Sequence, residues 1–150
     1  MGCPKRVTVA GLPHHITQRG NCKQNIFADD EDRRPYLTCL RQAGRSVGLQ
    51  ILAYCLMTNH VHIVAVPKTE EALSIGIGRA HWSYSRIFNR RHERSGALWQ
   101  ARFFSCAMDE AHLFQPVRYV ELNPTRAGLV KDPWDYGWSS AGEHGGQARA

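Results

Sequence analysis

Two histidines near the middle of the chain carry the clearest chemical signal. His60 and His62 are separated by one residue at the start of an otherwise apolar run that ends at Val66. Because successive side chains of a β-strand point to opposite faces, we expect both imidazoles on one face, roughly 6.6 Å apart along the strand. Neutral imidazole is the commonest protein ligand for metals. A metal site fits this spacing, and so does a pair of structural histidines that bond backbone carbonyls or water at a strand end.

The elements that must position this pair follow from hydrophobic periodicity, caps and turn residues. Thr58 and Asn59 form a two-residue turn between two predicted strands, and Gly48 ends the helix before them. The pattern predicts strands at 14–19, 49–57, 60–66 and within 97–106, and helices from about 29–32 to 46, from 69 to about 91, and after 109. The order β-α-β-β-α-β is typical of a ferredoxin-like α+β fold with an antiparallel sheet, here with an added C-terminal helix. In that fold the first and third strands lie side by side at the centre of the sheet.

Composition limits the class of protein. With 150 residues and 43% hydrophobic content, we expect one domain over residues 1–150, with a core at about 9–140 and a frayed tail at 145–150. The five cysteines contain no C-x-x-C pair, which argues against a disulfide framework or thiolate zinc site. No apolar run reaches the ~20 residues of a membrane span and no signal peptide is evident, so a cytoplasmic protein without membrane contact is expected. The net charge of +6 suits a polyanion such as nucleic acid.

Several stretches in a fixed order resemble a known family. Residues 56–64 (LMTNHVHIV) are similar to the two-histidine motif of the HUH single-tyrosine transposases. Residues 11–21 (GLPHHITQRGN), 98–103 (LWQARF), 119–130 (YVELNPTRAGLV) and 138–140 (WSS) resemble its branch of REP-associated tyrosine transposases. The resemblance covers about residues 9–140, and it raises the metal interpretation of the histidine pair above the structural one.

This resemblance implies an enzyme that cleaves and rejoins single-stranded, hairpin-bearing DNA through a covalent 5′-phosphotyrosine. It implies Tyr119 as the nucleophile, and His60, His62 and Asn123 as ligands of a divalent metal. Tyr119 and Asn123 are four residues apart on a predicted helix, which places them one turn apart on the same face. Imidazole and amide ligands suit Mg²⁺ or Mn²⁺, with Mn²⁺ the better match to nitrogen. The energy of the cleaved bond is kept in the phosphotyrosine, so no nucleotide cofactor is expected.

The sequence leaves alternatives open. Tyr84 lies among arginines and competes with Tyr119, Asn123 is by default a helix-end residue, and Glu121 is expected to be a solvated charge. The arginines and aromatic residues of the second helix suit DNA binding, but a helix that buries Trp82 and Phe88 explains them equally well. Candidate DNA contacts are His15, Arg19, Arg79, Arg86, Arg102 and Arg126. The rival function is a non-catalytic ferredoxin-like module that binds nucleic acid. Whether the protein is a monomer or a homodimer, and whether a tyrosine serves its own site or a partner's, stays open.

Overall fold

The computed structural model describes residues 7–109, 111 and 113–144, with a four-stranded antiparallel sheet at its centre. The strands are β1 (His14–Arg19), β2 (Leu49–Leu56), β3 (His60–Pro67) and β4 (Phe104–Ala107), in the order β2-β3-β1-β4. Every neighbouring pair is antiparallel, and β1 and β3 occupy the centre. The predicted ferredoxin-like arrangement is therefore confirmed. The tail at 145–150, which we expected to be frayed, lies outside the described residues.

Five helices accompany the sheet in the described part of the chain. They are α1 (Asp30–Val47), α2 (Ala72–Arg91), α3 (Phe114–Glu121), α4 (Asn123–Arg126) and α5 (Ala141–His144). The Asp29 side chain caps α1 by accepting a hydrogen bond from the Asp32 amide. Gly48 ends α1 in the left-handed conformation (φ 72°), which glycine adopts without steric cost. No helix within the described ranges is both long and apolar enough to cross a membrane.

Helices α1 and α2 pack on each other and cover one face of the sheet. Their contact buries aromatic residues, among them Tyr36 and Tyr84, whose rings meet edge to face at 5.2 Å. At one end of the pair, the buried Asp32 carboxylate accepts hydrogen bonds from Arg91 and His92 of the neighbouring helix end. This face of the sheet is thus closed, and any site must use the other face.

Helix α3 lies on that other face. Its stripe of Leu113, Val117 and Val120 follows the helical period, and Val120 is fully buried against residues of β2 and β3 such as Cys55 and Val64. The segment after α4 then runs back along β2, where the Trp138 carbonyl accepts a hydrogen bond from the Leu56 amide at 2.8 Å. This C-terminal segment, residues 127–144, therefore extends the β2 edge and supports the base of α3.

Three sequence-based expectations differ from the structure. The last strand is only Phe104–Ala107, because the preceding residues 98–101 continue beside the end of β1 in an irregular path, with one isolated bridge between Gly20 and Trp99. Glu121 is buried, and its carboxylate accepts a hydrogen bond from Ser140 at 2.7 Å, so it is not a solvated charge. On α2, Phe88 is buried but Trp82 is 61% exposed. An amphipathic helix that buries both rings was the wrong interpretation.

Candidate active site

The histidine pair begins β3, next to the central strand β1. Arg19 pairs with His60 and Thr17 with His62 across the ladder, so these side chains share the face that carries α3. The two imidazole rings lie 5.0 Å apart between centroids and nearly perpendicular. The turn before His60 is fixed from β1, because the Gly20 amide donates to the Asn59 carbonyl at 2.9 Å.

Each imidazole has one ring nitrogen in a hydrogen bond. The Nδ1 of His60 donates to the Oδ1 of Asn59 at 2.7 Å, since a carbonyl oxygen is only an acceptor. The Nδ1 of His62 lies 3.1 Å from the Nε2 of His15. In this arrangement the Nε2 atoms are the nitrogens left for a ligand, and the ring orientations are set by neighbouring side chains.

The surroundings keep the pair uncharged near neutral pH. Burial, followed by repulsion from His60 and His15, lowers the pKa of His62 to about 3. Burial and the nearby Arg19 guanidinium lower the pKa of His60. Both shifts favour the neutral imidazole, which is the form that binds metals.

Tyr119 stands over this pair on α3. Its ring meets His62 edge to face at 5.9 Å and His15 at 5.8 Å. The buried Val120 next to it anchors the helix, while Tyr119 itself is 44% exposed. The guanidinium of Arg126 lies 4.7 Å from the centre of the Tyr119 ring, a cation–π contact. The structure therefore brings the predicted nucleophile to the histidine pair, with a positive charge on the ring.

Asn123 lies one turn further along the chain. The expected single helix is divided, because α3 ends at Glu121 and α4 begins at Asn123, with Pro124 in its first turn. The backbone at Leu122 stays near helical values, so the one-turn spacing is kept. The Asn123 side-chain amide donates to the Tyr119 carbonyl at 3.1 Å, which leaves its Oδ1 as the atom for a metal.

These groups open onto a common cavity of about 730 Å³. Its cationic members are Arg19, Lys23 and Arg102, and no Asp or Glu lines it in the described part of the chain. The segment that carries Arg102 is held against β1, since the Gln18 side-chain amide donates to the Ala101 carbonyl at 2.6 Å. The cavity is lined by Thr17, Gln18, Arg19, Lys23, Asn59, His60, His62, Gln100, Ala101, Arg102, Phe104, Tyr119 and Asn123. A cationic cavity of this kind suits a phosphodiester.

The donor set fits a divalent metal as a partial site. Across the described residues, no three His, Cys, Asp or Glu side chains are grouped as a metal site. Two neutral imidazoles and one amide oxygen, those of His60, His62 and Asn123, share the cavity instead. A set of three neutral ligands leaves coordination positions for water and phosphate oxygens, as Mg²⁺ and Mn²⁺ require when they act on phosphates.

The other candidates fall into two groups. Arg19 and Arg102 line the cavity. Arg126 and His15 contact Tyr119 and line a neighbouring cavity with it. Arg79 and Arg86 are exposed on α2, which packs on the opposite face of the sheet. A contact between these two arginines and DNA stays a prediction.

Tyr84, the competing tyrosine, is unsuited to attack a substrate. Its ring is fully buried between α2 and the start of α1, and its hydroxyl donates to the Ile26 carbonyl. Burial, together with the negative charge of Asp32, raises the pKa of its phenol. Tyr119 is the tyrosine that the fold presents to the histidine pair.

The polar residues of the cavity that sequence reasoning did not name as site candidates are Thr17, Gln18, Lys23, Asn59 and Gln100. Asn59 was seen only as a turn residue, although its position directly before His60 was a signal for a side-chain contact. Lys23 and Gln100 lie on irregular segments beside the end of β1, and no periodic pattern places such segments in space. Only the long-range hydrogen bonds of these segments, such as that from the Asn21 amide to the Leu98 carbonyl, bring them to the site.

Comparisons with known proteins agree with this geometry. The sequence model of a family described as IS200-like transposases matches residues 8–123. The chain therefore belongs to the IS200-like transposases, enzymes that act on DNA, and the resemblance drawn from its motifs is confirmed at this level. No curated protein sequence matches the chain.

Two solved structures share the fold. One is a REP-associated tyrosine transposase bound to a REP hairpin, with a TM-score of 0.74 and 19% identity, over 93% of this chain and 82% of that one. The other is a protein of Deinococcus radiodurans R1 described as a transposase, with a TM-score of 0.52 and 16% identity, over 81% of this chain and 95% of that one. At these identities the similarity establishes the architecture.

Proposed function

We propose that this protein cleaves and rejoins single-stranded DNA through a covalent bond between Tyr119 and a 5′-phosphate. The observation that carries the proposal is the meeting of Tyr119 with His62 and His60 on one cationic cavity. Membership of the IS200-like transposases supports an enzyme of DNA rearrangement. The assembly of all these groups on one chain further supports a site in which the tyrosine serves its own histidine pair.

The chemistry assigned to Tyr119 is an in-line displacement at phosphorus. Its phenolic oxygen forms a bond to the phosphorus of the scissile phosphodiester, and the bond from phosphorus to the 3′-oxygen of the preceding nucleotide breaks. The phenol gives up its proton and the departing 3′-oxygen gains one. Attack by a 3′-hydroxyl on the phosphotyrosine reverses these changes and rejoins a strand, so no nucleotide cofactor is consumed.

Because the phenol of a free tyrosine has a pKa near 10, the nucleophile needs help at neutral pH. The Arg126 guanidinium, 4.7 Å from the centre of the Tyr119 ring, is assigned to stabilise the negative charge of the transition state. The residues that would hold a divalent metal are His60, His62 and Asn123. When bound, such an ion polarises a phosphate oxygen and orients the scissile group.

Arg19, Lys23 and Arg102 are assigned to the sugar-phosphate backbone, since they line the cavity beside the histidines. The related transposase of known structure is bound to a REP hairpin. We therefore propose hairpin-bearing DNA as the substrate of this chain too. A monomer is sufficient for this chemistry in our proposal.

The rival is a module that binds nucleic acid without cleaving it. The two are separated by incubating end-labelled single-stranded DNA with the protein and Mn²⁺, then resolving the products under denaturing conditions. We expect wild-type protein to yield a shortened strand and a protein-linked strand, and Tyr119→Phe to yield neither while it still binds DNA.

Tyr54→Phe is the matched control. Tyr54 is another half-buried tyrosine, but it faces α1 on the opposite side of the sheet and packs there against the core. The Tyr54→Phe variant should cleave DNA like the wild type. Binding without any cleavage by the wild type would favour the rival, and cleavage by Tyr119→Phe would remove Tyr119 from its role.

A further inference from the structure

One contact at the site has no role in the chemistry described so far. His15 of β1 lies beside both Tyr119 and His62, which also contact each other, so that the three rings form a triangle. Its ring lies beside that of His62, with centroids 5.3 Å apart and planes 17° from parallel. Its Nε2 lies 3.1 Å from the Nδ1 of His62, and its ring meets Tyr119 edge to face at 5.8 Å.

We propose that His15 is a positioning residue that fixes the orientation and tautomer of His62, so that the Nε2 of His62 is available to a divalent metal. This inference rests on the proposed function, since it concerns the same site. It differs from the sequence-based expectation that His15 contacts DNA.

The argument follows from the single proton that a neutral imidazole carries on its nitrogens. Between the two rings, one nitrogen must donate and the other accept. If the Nδ1 of His62 donates, its Nε2 keeps a free lone pair and can bind a metal. If it accepts, the proton is on Nε2 and that atom cannot bind. The proposal assigns the acceptor role to the Nε2 of His15, which selects the first arrangement.

The neighbouring histidine provides an independent parallel. His60 donates from Nδ1 to the Oδ1 of Asn59 at 2.7 Å, an acceptor that cannot reverse its role. Each histidine of the pair thus has a hydrogen-bond partner at Nδ1, Asn59 from the turn for His60 and His15 from β1 for His62. His15 differs from Asn59 in also meeting the Tyr119 ring edge to face.

The test is a titration of Mn²⁺ into metal-free protein, followed by electron paramagnetic resonance of the free ion, with no DNA present. His15→Phe keeps an aromatic ring but removes the acceptor, and we expect it to weaken Mn²⁺ binding about 10- to 100-fold, the usual effect of losing such a partner. His15→Gln returns an amide oxygen near the position of Nε2 and should restore much of the affinity. His92→Gln removes a half-buried imidazole on the helix-covered face and is the matched control, with affinity like the wild type.

A second measurement needs no metal. Long-range ¹H–¹⁵N correlation spectra of the imidazole rings report which nitrogen carries the proton. We expect the His62 ring to carry its proton on Nδ1 in the wild type. In His15→Phe, we expect the proton to shift toward Nε2. Wild-type His62 protonated on Nε2, or Mn²⁺ affinity unchanged in His15→Phe, would overturn the inference.

His62→Ala separates this inference from the proposed function. If His62→Ala loses Mn²⁺ binding and His15→Phe does not, only the role of His15 fails. If His62→Ala binds Mn²⁺ as the wild type does, the proposed metal site fails and the inference with it. Loss in both variants, with recovery in His15→Gln, supports both.

Discussion

Replacing Glu121 by glutamine tests how the tyrosine-bearing helix is held to the rest of the chain. The Glu121 carboxylate is buried two residues after Tyr119. One of its oxygens accepts hydrogen bonds from Ser140 and His144 of the C-terminal segment 127–144. Glutamine keeps the volume and an acceptor oxygen but removes the charge. The variant therefore isolates the contribution of charge to the contact between α3 and the C-terminal segment.

The expected loss follows from these two bonds. Hydrogen bonds to a charged group contribute about 1.5–3 kcal/mol each, and neutral ones about half as much. The His144 side chain is 46% exposed, which reduces its share. We expect Glu121→Gln to lower the free energy of unfolding by about 1–2 kcal/mol, which corresponds to a fall in Tm of roughly 2–8 °C for a domain of this size.

Thermal and urea unfolding followed by circular dichroism measure this change. Glu143→Gln removes an exposed carboxylate from the same C-terminal segment and is the matched control. We expect its free energy of unfolding to change by no more than about 0.5 kcal/mol. Equal stability of Glu121→Gln, Glu143→Gln and wild type would refute the view that Glu121 anchors α3. A loss of stability in Glu143→Gln as large as that in Glu121→Gln would also refute this view, because the effect would then not be specific to Glu121.

Three further predictions concern the site and the core. His60→Ala and His62→Ala should abolish cleavage but keep DNA affinity, measured by fluorescence anisotropy; early melting with lost binding would mark the pair as structural. Arg102→Gln should reduce the slope of log affinity against log salt by about one, and an unchanged slope would remove this phosphate contact. Burial lowers the pKa of His81 from 6.5 to about 3. As the pH falls below 6.5, the unfolded chain therefore protonates His81 before the folded protein does. The contribution of His81 to the free energy of unfolding is complete above pH 6.5 and declines as the pH falls toward 3. His81→Gln should flatten urea-unfolding stability against pH in that window, and an unchanged slope would contradict this origin.

Local sequence signals were sufficient for most of the fold. Asp29, the earliest of the possible start residues 29–32, caps α1, and Gly48 follows its last residue, which lies one position beyond the predicted end at 46. The alternation of side chains places His60 and His62 together on one face. The last strand was overestimated because Leu98 and Phe103 are apolar and buried without belonging to a ladder. Periodicity reports burial, and it cannot distinguish a strand from an irregular segment that is buried by long-range contacts.

The site was predictable where the family motifs supplied residues, and less so where three-dimensional contacts decide. The motifs indicated Tyr119 and Asn123, and the structure brings both to the cavity of the histidine pair. No sequence pattern shows that Glu121 turns inward to Ser140, or that His15 lies against His62. These contacts depend on the register between β1 and β3 and on the path of the C-terminal segment along β2. Both features arise only when distant parts of the chain pack together.

The central claim is a covalent bond between Tyr119 and the 5′-phosphate of cleaved DNA. It is tested most directly by trapping the adduct on single-stranded hairpin DNA with Mn²⁺, digesting the protein, and mapping the modified peptide by mass spectrometry. We predict a nucleotide on the peptide that contains Tyr119, joined through its 5′-phosphate, together with a released strand that ends in a 3′-hydroxyl. An adduct on another tyrosine, or a 3′-phosphate link, would contradict the account.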